Sequence, residues 1–573
     1  MKNIFKTNLN RLWCAQIIDE LKKNGINDYF IAPGMRNAPI ISAVLETEDL
    51  NVFEGMDERA LAYRALGHSK ITQKSSVLIC TSGTAVANFF PAVIEASLTS
   101  TPLFVISADR PVELVKSGAN QAIEQRGILS PYVANELHLP PPEEGLAPLA
   151  LRKMIAHLIT ESHIQKRPVH LNVPLKEPLD LTPGEISSNY LKKAEDAMEK
   201  SMPSTLTMLP ELALKESDRE ILSRKMNEAK QPLIVVGSLP AGQSHGPLIE
   251  WLDQGQCPLF LDVTSGLKYR YPVGERALPG FDHPEVVKLI ENNSIDLIIH
   301  LGGPVVSKHY YQFLTAHPEI FVVHVHDSFL MNDPSFSVDL RIFADPLVIA
   351  KSLPAMKGGM SAELKKGSAQ LIADKSQIID KSPLSNPYIS KNFIDHIENN
   401  ELIVISNSMA IRSFDSYGSL TTKKDLTIVT NRGASGIEGI LSTAIGASSA
   451  LQQKAHVIIG DVAMIHDLNA FSQLKTAAFP IRIIIINNQG GGIFRLLPIA
   501  QDERTLKAIE TRHDYNFAPI AQMFGLHYQV IANTEQFDQL MKQELQQHEI
   551  IEIQIPHENN DEIYRKLKTI RIG

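Results

Sequence analysis

Only three cysteines occur in 573 residues, Cys14, Cys80 and Cys257, and none forms a CxxC pair, which excludes a disulfide framework and a cysteine-built zinc site. Cations are outnumbered: 55 Lys and Arg against 64 Asp and Glu leave a net charge of −9. That balance argues against a nucleic-acid footprint, so anionic small molecules would need locally concentrated cations. No stretch approaches the ~18 uninterrupted apolar residues of a membrane span. The opening residues, MKNIFKTNLNRLWCAQIIDELKKNG, carry Asp19 and Glu20 inside their apolar pattern and predict a helix, not a signal peptide. These absences point to an enzyme-sized protein of a reducing cytoplasm.

What is present is α/β patterning repeated three times. Residues 1–185 alternate β-rich runs (DYFIAPG, NVFEGMD, SSVLICTSG, PLFVISADRP, RPVHLNVPL) with helical segments, the signature of a parallel sheet covered on both faces. A polar stretch separates these from a second series over 200–352: QPLIVVGS, CPLFLDV, DLIIHLGG, IFVVHVHD and DLRIFAD. Residues 353–387 read as a linker holding one amphipathic helix. The third series, over 385–573, comprises ELIVISNS, DLTIVTNRG, AHVIIGD, IRIIIINNQGGG and EIIEIQIP. Three α/β domains of similar size are therefore expected. His324 and His326 share a strand face in VVHVHD but lack a third ligand, so no metal site is expected there.

The segment GDVAMIHDLNAFSQLKTAAFPIRIIIINNQGGGIF, residues 460–494, carries the chemistry. Asp461 follows one predicted strand; Leu468, Phe471, Leu474 and Ala478 fall on one face at helical spacing; Ile483 to Ile486 predict the next strand, ending at Asn487 and Asn488. A carboxylate and a carboxamide thus lie at the carboxyl edge of a parallel sheet, where open α/β sheets bind ligands. With a carbonyl from the glycine turn they make part of the oxygen shell of Mg²⁺, which takes its other ligands from phosphates and water. The same residues also suit a helix cap and a turn with nothing bound, so a second witness is needed.

The spacing of GD and NN resembles the diphosphate motif of thiamine-diphosphate enzymes. The resemblance assigns Mg²⁺ (or Mn²⁺) to Asp461, Asn488 and the backbone of Gly490, although Val462 stands where that family usually has Gly. It also requires a Glu from a separate domain to act on the cofactor's aminopyrimidine, and Glu58 in NVFEGMDERALAYRALG is in the matching place; by itself the Asp57–Glu58 pair would only favour a helix start. Nearly the whole chain, through IAPGMRNAPI, TSGTAVANFFPAVIEA, SADRPVEL, GANQAI, NSMAIRSFD, NRGASGIEG and GGGIFRLLP, resembles the 2-succinyl-5-enolpyruvyl-6-hydroxy-3-cyclohexene-1-carboxylate synthases of menaquinone biosynthesis.

That resemblance implies pyrimidine-binding (1–185), middle (200–352) and diphosphate-binding (385–573) domains, and a homodimer or dimer of dimers with the active site at the interface. It implies the substrates 2-oxoglutarate and isochorismate, joined with loss of CO₂. Each brings two carboxylates, and Arg36, Arg110, Arg432, Arg412 and Lys308 follow strand ends, where guanidinium geometry suits such groups. The resemblance assigns these five, with Asn120, Gln121 and Ser408, to substrate or active-site contacts; Ser408 also to the cofactor; and Ile437 to holding the cofactor bent. Two departures concern the second substrate: Met35 where the family commonly has Ser, and His309 where it commonly has Arg. They keep open a thiamine-diphosphate carboligase with other substrates; a non-catalytic cofactor-binding homologue is the remaining alternative.

Overall fold

The computed structural model describes residues 6–209, 212–271, 276–418 and 423–572. Three six-, five- and six-stranded sheets form, and every ladder in them is parallel. The first contains β1 (Asp28–Ile31), β2 (Asn51–Glu54), β3 (Ser76–Cys80), β4 (Leu103–Asp109), β5 (Glu136–His138) and β6 (Val169–Pro174), in the order β2-β1-β3-β4-β6-β5. The second contains β7 (Pro232–Val236), β8 (Leu259–Leu261), β9 (Leu297–Leu301), β10 (Phe321–Val325) and β11 (Leu340–Ile342), ordered β11-β10-β9-β7-β8. The third contains β12 (Leu402–Ile405), β13 (Thr427–Val429), β14 (Ala455–Gly460), β15 (Ile481–Asn487), β16 (His527–Ile531) and β17 (Glu549–Gln554), ordered β13-β12-β14-β15-β17-β16. First and third sheets therefore share one winding.

The central strands are apolar on both faces because helices cover both. β3, β4 and β15 are buried at every residue. The predicted first helix is Leu9–Lys23, with its start capped by Asn8 accepting from Arg11 N. The amphipathic helix expected in the 353–387 stretch is Ala362–Asp380. The 468–478 segment differs from expectation: it is a 3₁₀ helix, Leu468–Thr476. Its apolar residues Leu468, Phe471 and Leu474 recur every third position, which suits the ~3-residue turn of a 3₁₀ helix as well as an α-helical face. No described helix is long and apolar enough to cross a membrane.

Compactness divides the chain into two units. The first comprises Met1–Pro210 together with Asn431–Leu451 and Asp467–Ala478; the second comprises Glu211–Thr430, Gln452–His466 and Phe479–Gly573. Within the first unit the helices Glu58–Thr72 and Ile440–Leu451 pack closely. A Cβ on Gly67 would stand 2.0 Å from Thr443 O, and one on Gly446 1.9 Å from Arg64 O. Only glycine lets the two backbones approach so far.

Candidate functional site

Each winding has a switch point, where chain direction along the sheet reverses and ligands characteristically bind. In the first sheet it lies between β1 and β3, where a Cβ on Gly34 would sit 2.3 Å from Thr81 Cβ, so the loops after the two strands meet closely. In the second it lies between β7 and β9, and is bridged by Gly303 N donating to Ser238 O at 2.8 Å. The third lies between β12 and β14. There β12 runs on to Ser408 and the helix Met409–Tyr417, and β14 ends directly at Asp461.

Asp461 is 2% exposed and organises the turn after β15. Its Oδ2 accepts from Asn488 N at 3.1 Å and Gly490 N at 3.0 Å, and its Oδ1 from Val462 N at 2.7 Å. His513 Nε2 lies 3.3 Å from Oδ2. Burial pushes the Asp461 carboxyl up, against the bonds from Gly490 and Val462 and the neighbouring His513. The two asparagines have separate jobs. Asn487 spends its carboxamide on Tyr515 O, Glu552 Oε1 and Gln489 N. Asn488 lines a small cavity together with Met409, Gly492 and His557. Gly490, at φ +138, keeps the 488–492 turn tight, and Glu510 O anchors it by accepting from Gly491 N at 2.7 Å. Carboxylate, carboxamide and backbone carbonyl are hard oxygen donors, and the helix start at Met409 beside them suits an anionic group. This set fits a divalent cation with a diphosphate.

Ser408, the residue before that helix, holds φ +65 and ψ −128, a strained conformation for a side-chain-bearing residue. Its carbonyl accepts from Arg412 Nη1 at 2.7 Å, so the structure brings Ser408 and Arg412 together. Lys308 is exposed at the first position of the helix Lys308–Ala316, past β9. These six residues, Lys308, Ser408, Arg412, Asp461, Asn488 and Gly490, belong to the second unit.

Glu58, Arg36, Arg110, Asn120, Gln121, Arg432 and Ile437 belong to the first. Glu58 opens the helix Glu58–Thr72, whose cap is Asp57 accepting from Ala60 N at 2.8 Å. Arg36, 5% exposed, already donates to Leu175 O at 2.8 Å and Glu177 Oε1 at 3.0 Å. Asp109 is bound by Asn172 Nδ2 and by the backbone N of Arg110, both at 2.7 Å, while the buried Arg110 Nε has no partner among the described residues. Asn120 and Gln121 are exposed, Gln121 at φ +52. Exposed Met35, Met56 and Val112 follow β1, β2 and β4 at this same sheet edge. His324 Nε2 meets Gly302 O at 2.9 Å in the second unit.

Two supporting residues escape sequence reasoning. Gln125, 1% exposed, accepts from Gly83 N at 2.8 Å and donates to Asn172 Oδ1 at 2.9 Å, tying the loop after β3 to the end of β6. Glu95, 1% exposed, accepts from Gly433 N, Ala434 N and Lys70 Nζ, and so holds the loop bearing Arg432 and Ile437. Asp467 holds the far end, accepting from Gly439 N and Leu441 N. Gln125 left no signal in the sequence. Glu95 did: it is the one charge in the apolar helix FPAVIEASL.

Residues 14–128 match the family profile described as thiamine pyrophosphate enzyme, N-terminal TPP binding domain, and residues 414–555 match the C-terminal TPP binding domain of the same enzymes. Curated relatives align with nearly the whole chain. The 2-succinyl-5-enolpyruvyl-6-hydroxy-3-cyclohexene-1-carboxylate synthase of Chlorobium phaeovibrioides is 32% identical over 576 residues, covering 99% of this chain and 97% of its own. The proteins of that name from Chlorobium phaeobacteroides and Syntrophus aciditrophicus are 34% identical over 543 residues, with 92% of each chain covered, and 32% identical over 576 residues, with 99% of each covered.

Proposed function

We infer, because this chain belongs to the 2-succinyl-5-enolpyruvyl-6-hydroxy-3-cyclohexene-1-carboxylate synthase family, that it is a thiamine-diphosphate-dependent enzyme of menaquinone biosynthesis. It releases CO₂ from 2-oxoglutarate and adds the remaining four-carbon unit to isochorismate in a 1,4 sense. The observation that carries this reading is the turn built around Asp461 at the third switch point, in a chain that matches such synthases over nearly its full length.

Asp461, the Asn488 carboxamide and the Gly490 carbonyl are assigned to Mg²⁺ or Mn²⁺. Gly490 O accepts one bond, from Gly492 N at 3.0 Å, and has a second lone pair for a metal. Ser408 and the helix start behind it are assigned to the cofactor as well as to substrate. Thiamine diphosphate, when bound, supplies a carbon that becomes nucleophilic on losing its proton. Glu58 is the group assigned to hold the aminopyrimidine in its proton-accepting form, and Ile437 to keep the cofactor bent. Arg36, Arg110, Asn120, Gln121, Lys308, Arg412 and Arg432 are assigned to the substrates' carboxylates and hydroxyls. The stretches 1–185, 200–352 and 385–573 take the pyrimidine, middle and diphosphate roles.

A cytoplasmic homodimer, or dimer of dimers, belongs to the same reading, with Glu58 of one copy serving the cofactor held by the metal ligands of another. The exposed Met35, Met56 and Val112, which follow β1, β2 and β4 at the sheet edge where Glu58 also lies, support it, since exposed apolar side chains at such an edge suit a surface that a partner covers. Met35 and His309 favour one second reading, a carboligase of the same cofactor class with a different acceptor. An assay of CO₂ release and coupled product, with both substrates and with and without Mg²⁺ and thiamine diphosphate, tests both. CO₂ release that isochorismate leaves unchanged, without coupled product, refutes the first reading.

A further inference from the structure

Asp282 precedes the helix Pro284–Asn292 in the second unit and is half-buried. Its Oδ1 accepts from Ser307 Oγ at 2.7 Å and from His309 Nδ1 at 2.8 Å, and its Oδ2 from Ser416 Oγ at 3.1 Å. Three donors thus come from two elements. Ser307 caps the helix Lys308–Ala316, its Oγ also accepting from His309 N at 3.3 Å. Lys308 therefore has a neighbour on each side bound to one carboxylate. Ser416 lies on the helix Met409–Tyr417, one turn beyond Arg412.

The second helix is anchored in the same region by three further contacts. Asp415 Oδ1 accepts from Val263 N at 3.0 Å and pairs with Lys268 Nζ at 3.1 Å, and Tyr269 OH donates to Phe414 O at 2.8 Å. Burial pushes the Asp282 carboxyl up, but the bonds from His309, Ser307 and Ser416 bring it down to about 2, so the acceptor is an anion. Lys308 and Arg412 are two cations assigned to anionic substrates, and each rides on a helix held by that anion.

We propose that Asp282 is a positioning residue that sets the spacing of Lys308 and Arg412, and that His309 serves as its partner and not as a substrate contact. The proposal rests on the synthase reading and deepens it. It also accounts for the departure at 309: the side chain there is needed for one short donor toward Asp282, which imidazole Nδ1 supplies without a permanent charge. Two charge-assisted contacts to one dicarboxylate depend steeply on their separation, so loosening the clamp weakens binding of that substrate more than it slows turnover.

The test uses the full-length enzyme with thiamine diphosphate and Mg²⁺, and His309→Phe, His309→Asn and Asp282→Asn. His309 is 43% exposed, so the two substitutions there keep the fold. His309→Phe and Asp282→Asn are expected to raise KM for one substrate about tenfold, or ~1.4 kcal/mol, with kcat within about twofold, and His309→Phe to leave the melting temperature unchanged. His309→Asn, which keeps a donor near the Nδ1 position, is expected to hold the wild-type KM. Adding His309→Phe to Lys308→Ala should raise KM no further than Lys308→Ala alone. Equal impairment of His309→Phe and His309→Asn, wild-type KM values in His309→Phe, or full additivity with Lys308→Ala would overturn the proposal. A wild-type enzyme that turns over neither substrate would sink the synthase reading and this one with it; normal turnover with KM indifferent to position 309 would sink only this one.

Discussion

Replacing Glu95 by Gln is the sharpest single test of how the first unit is built. The Glu95 carboxylate accepts from Lys70 Nζ at 3.2 Å, Gly433 N at 3.0 Å and Ala434 N at 2.8 Å, and Lys70 also donates to Asn431 Oδ1 at 3.0 Å. Lys70 is 8% exposed; burial pushes its pKa down and Glu95 holds it up. Glutamine keeps the shape but removes the charge, and turns an NH₂ toward donors that need an acceptor. Breaking a buried pair by removing one partner costs about 3–5 kcal/mol. For a unit of roughly 240 residues each kcal/mol is worth about 2–4 °C, so the melting temperature should fall by about 10 °C. Differential scanning calorimetry of wild type, Glu95→Gln, Lys70→Met and the double variant checks this. The double variant should lose clearly less than the two single losses combined, because it leaves no lone buried charge. A Glu95→Gln shift under about 2 °C, or strict additivity of the two losses, would refute the reasoning. Because the same carboxylate anchors the loop bearing Arg432 and Ile437, kcat/KM should fall at temperatures where the variant is fully folded.

Other outcomes follow from the same geometry. Glu58→Gln should bind thiamine diphosphate and Mg²⁺ as wild type does, by calorimetry, while losing CO₂ release from 2-oxoglutarate; an unaffected rate removes the assigned proton role. Asp461→Asn should weaken Mg²⁺-dependent cofactor binding by about a hundredfold, since the carboxylate assigned to the metal becomes a neutral amide, with circular dichroism unchanged. Gly439→Ala places a Cβ 2.0 Å from Tyr63 Cγ at φ +76, and overpacking of this kind costs about 1–3 kcal/mol in a thermal melt. Lys375 is 2% exposed, and burial pushes its pKa down to about 8. From there to its unfolded value near 10.4, the unfolded chain holds a proton that the folded one has shed, so stability rises with pH by about 3 kcal/mol. Denaturant titrations of Lys375→Met over that range should show a flatter slope than wild type.

The strands that sequence patterning located are those whose burial writes itself in β-branched runs, such as IIII in β15. The strand pairs it missed are edges. β5 is the three-residue ELH, paired with β6 at the sheet's edge, and β16 is HYQVI, of which Ile531 alone is buried. Neither carries the apolar run that a doubly covered strand needs. In the site, Asp461, Asn488 and the glycine turn were legible because one short segment contains them all. Asp282 and Gln125 were not, since each acts through partners that only the fold assembles. Likewise Asp109 is held by Asn172, a partner on the neighbouring strand of the β4–β6 ladder that sequence distance hides.

The division of the chain has a consequence for its synthesis. The first unit needs the helix Ile440–Leu451 against its Gly67 surface and Asp467 under Gly439, and both come from late in the sequence. The chain passes between units at 210/211, 430/431, 451/452, 466/467 and 478/479. Multidomain chains commonly fold N-terminal domain first as they leave the ribosome. Here that order is closed off: the N-terminal unit cannot be completed until residue 478 has emerged, by which point most of the second unit is already made. The unit that bears Glu58 therefore matures alongside the unit that bears Asp461, never as a free-standing intermediate, and no single cut of the gene would yield either unit whole.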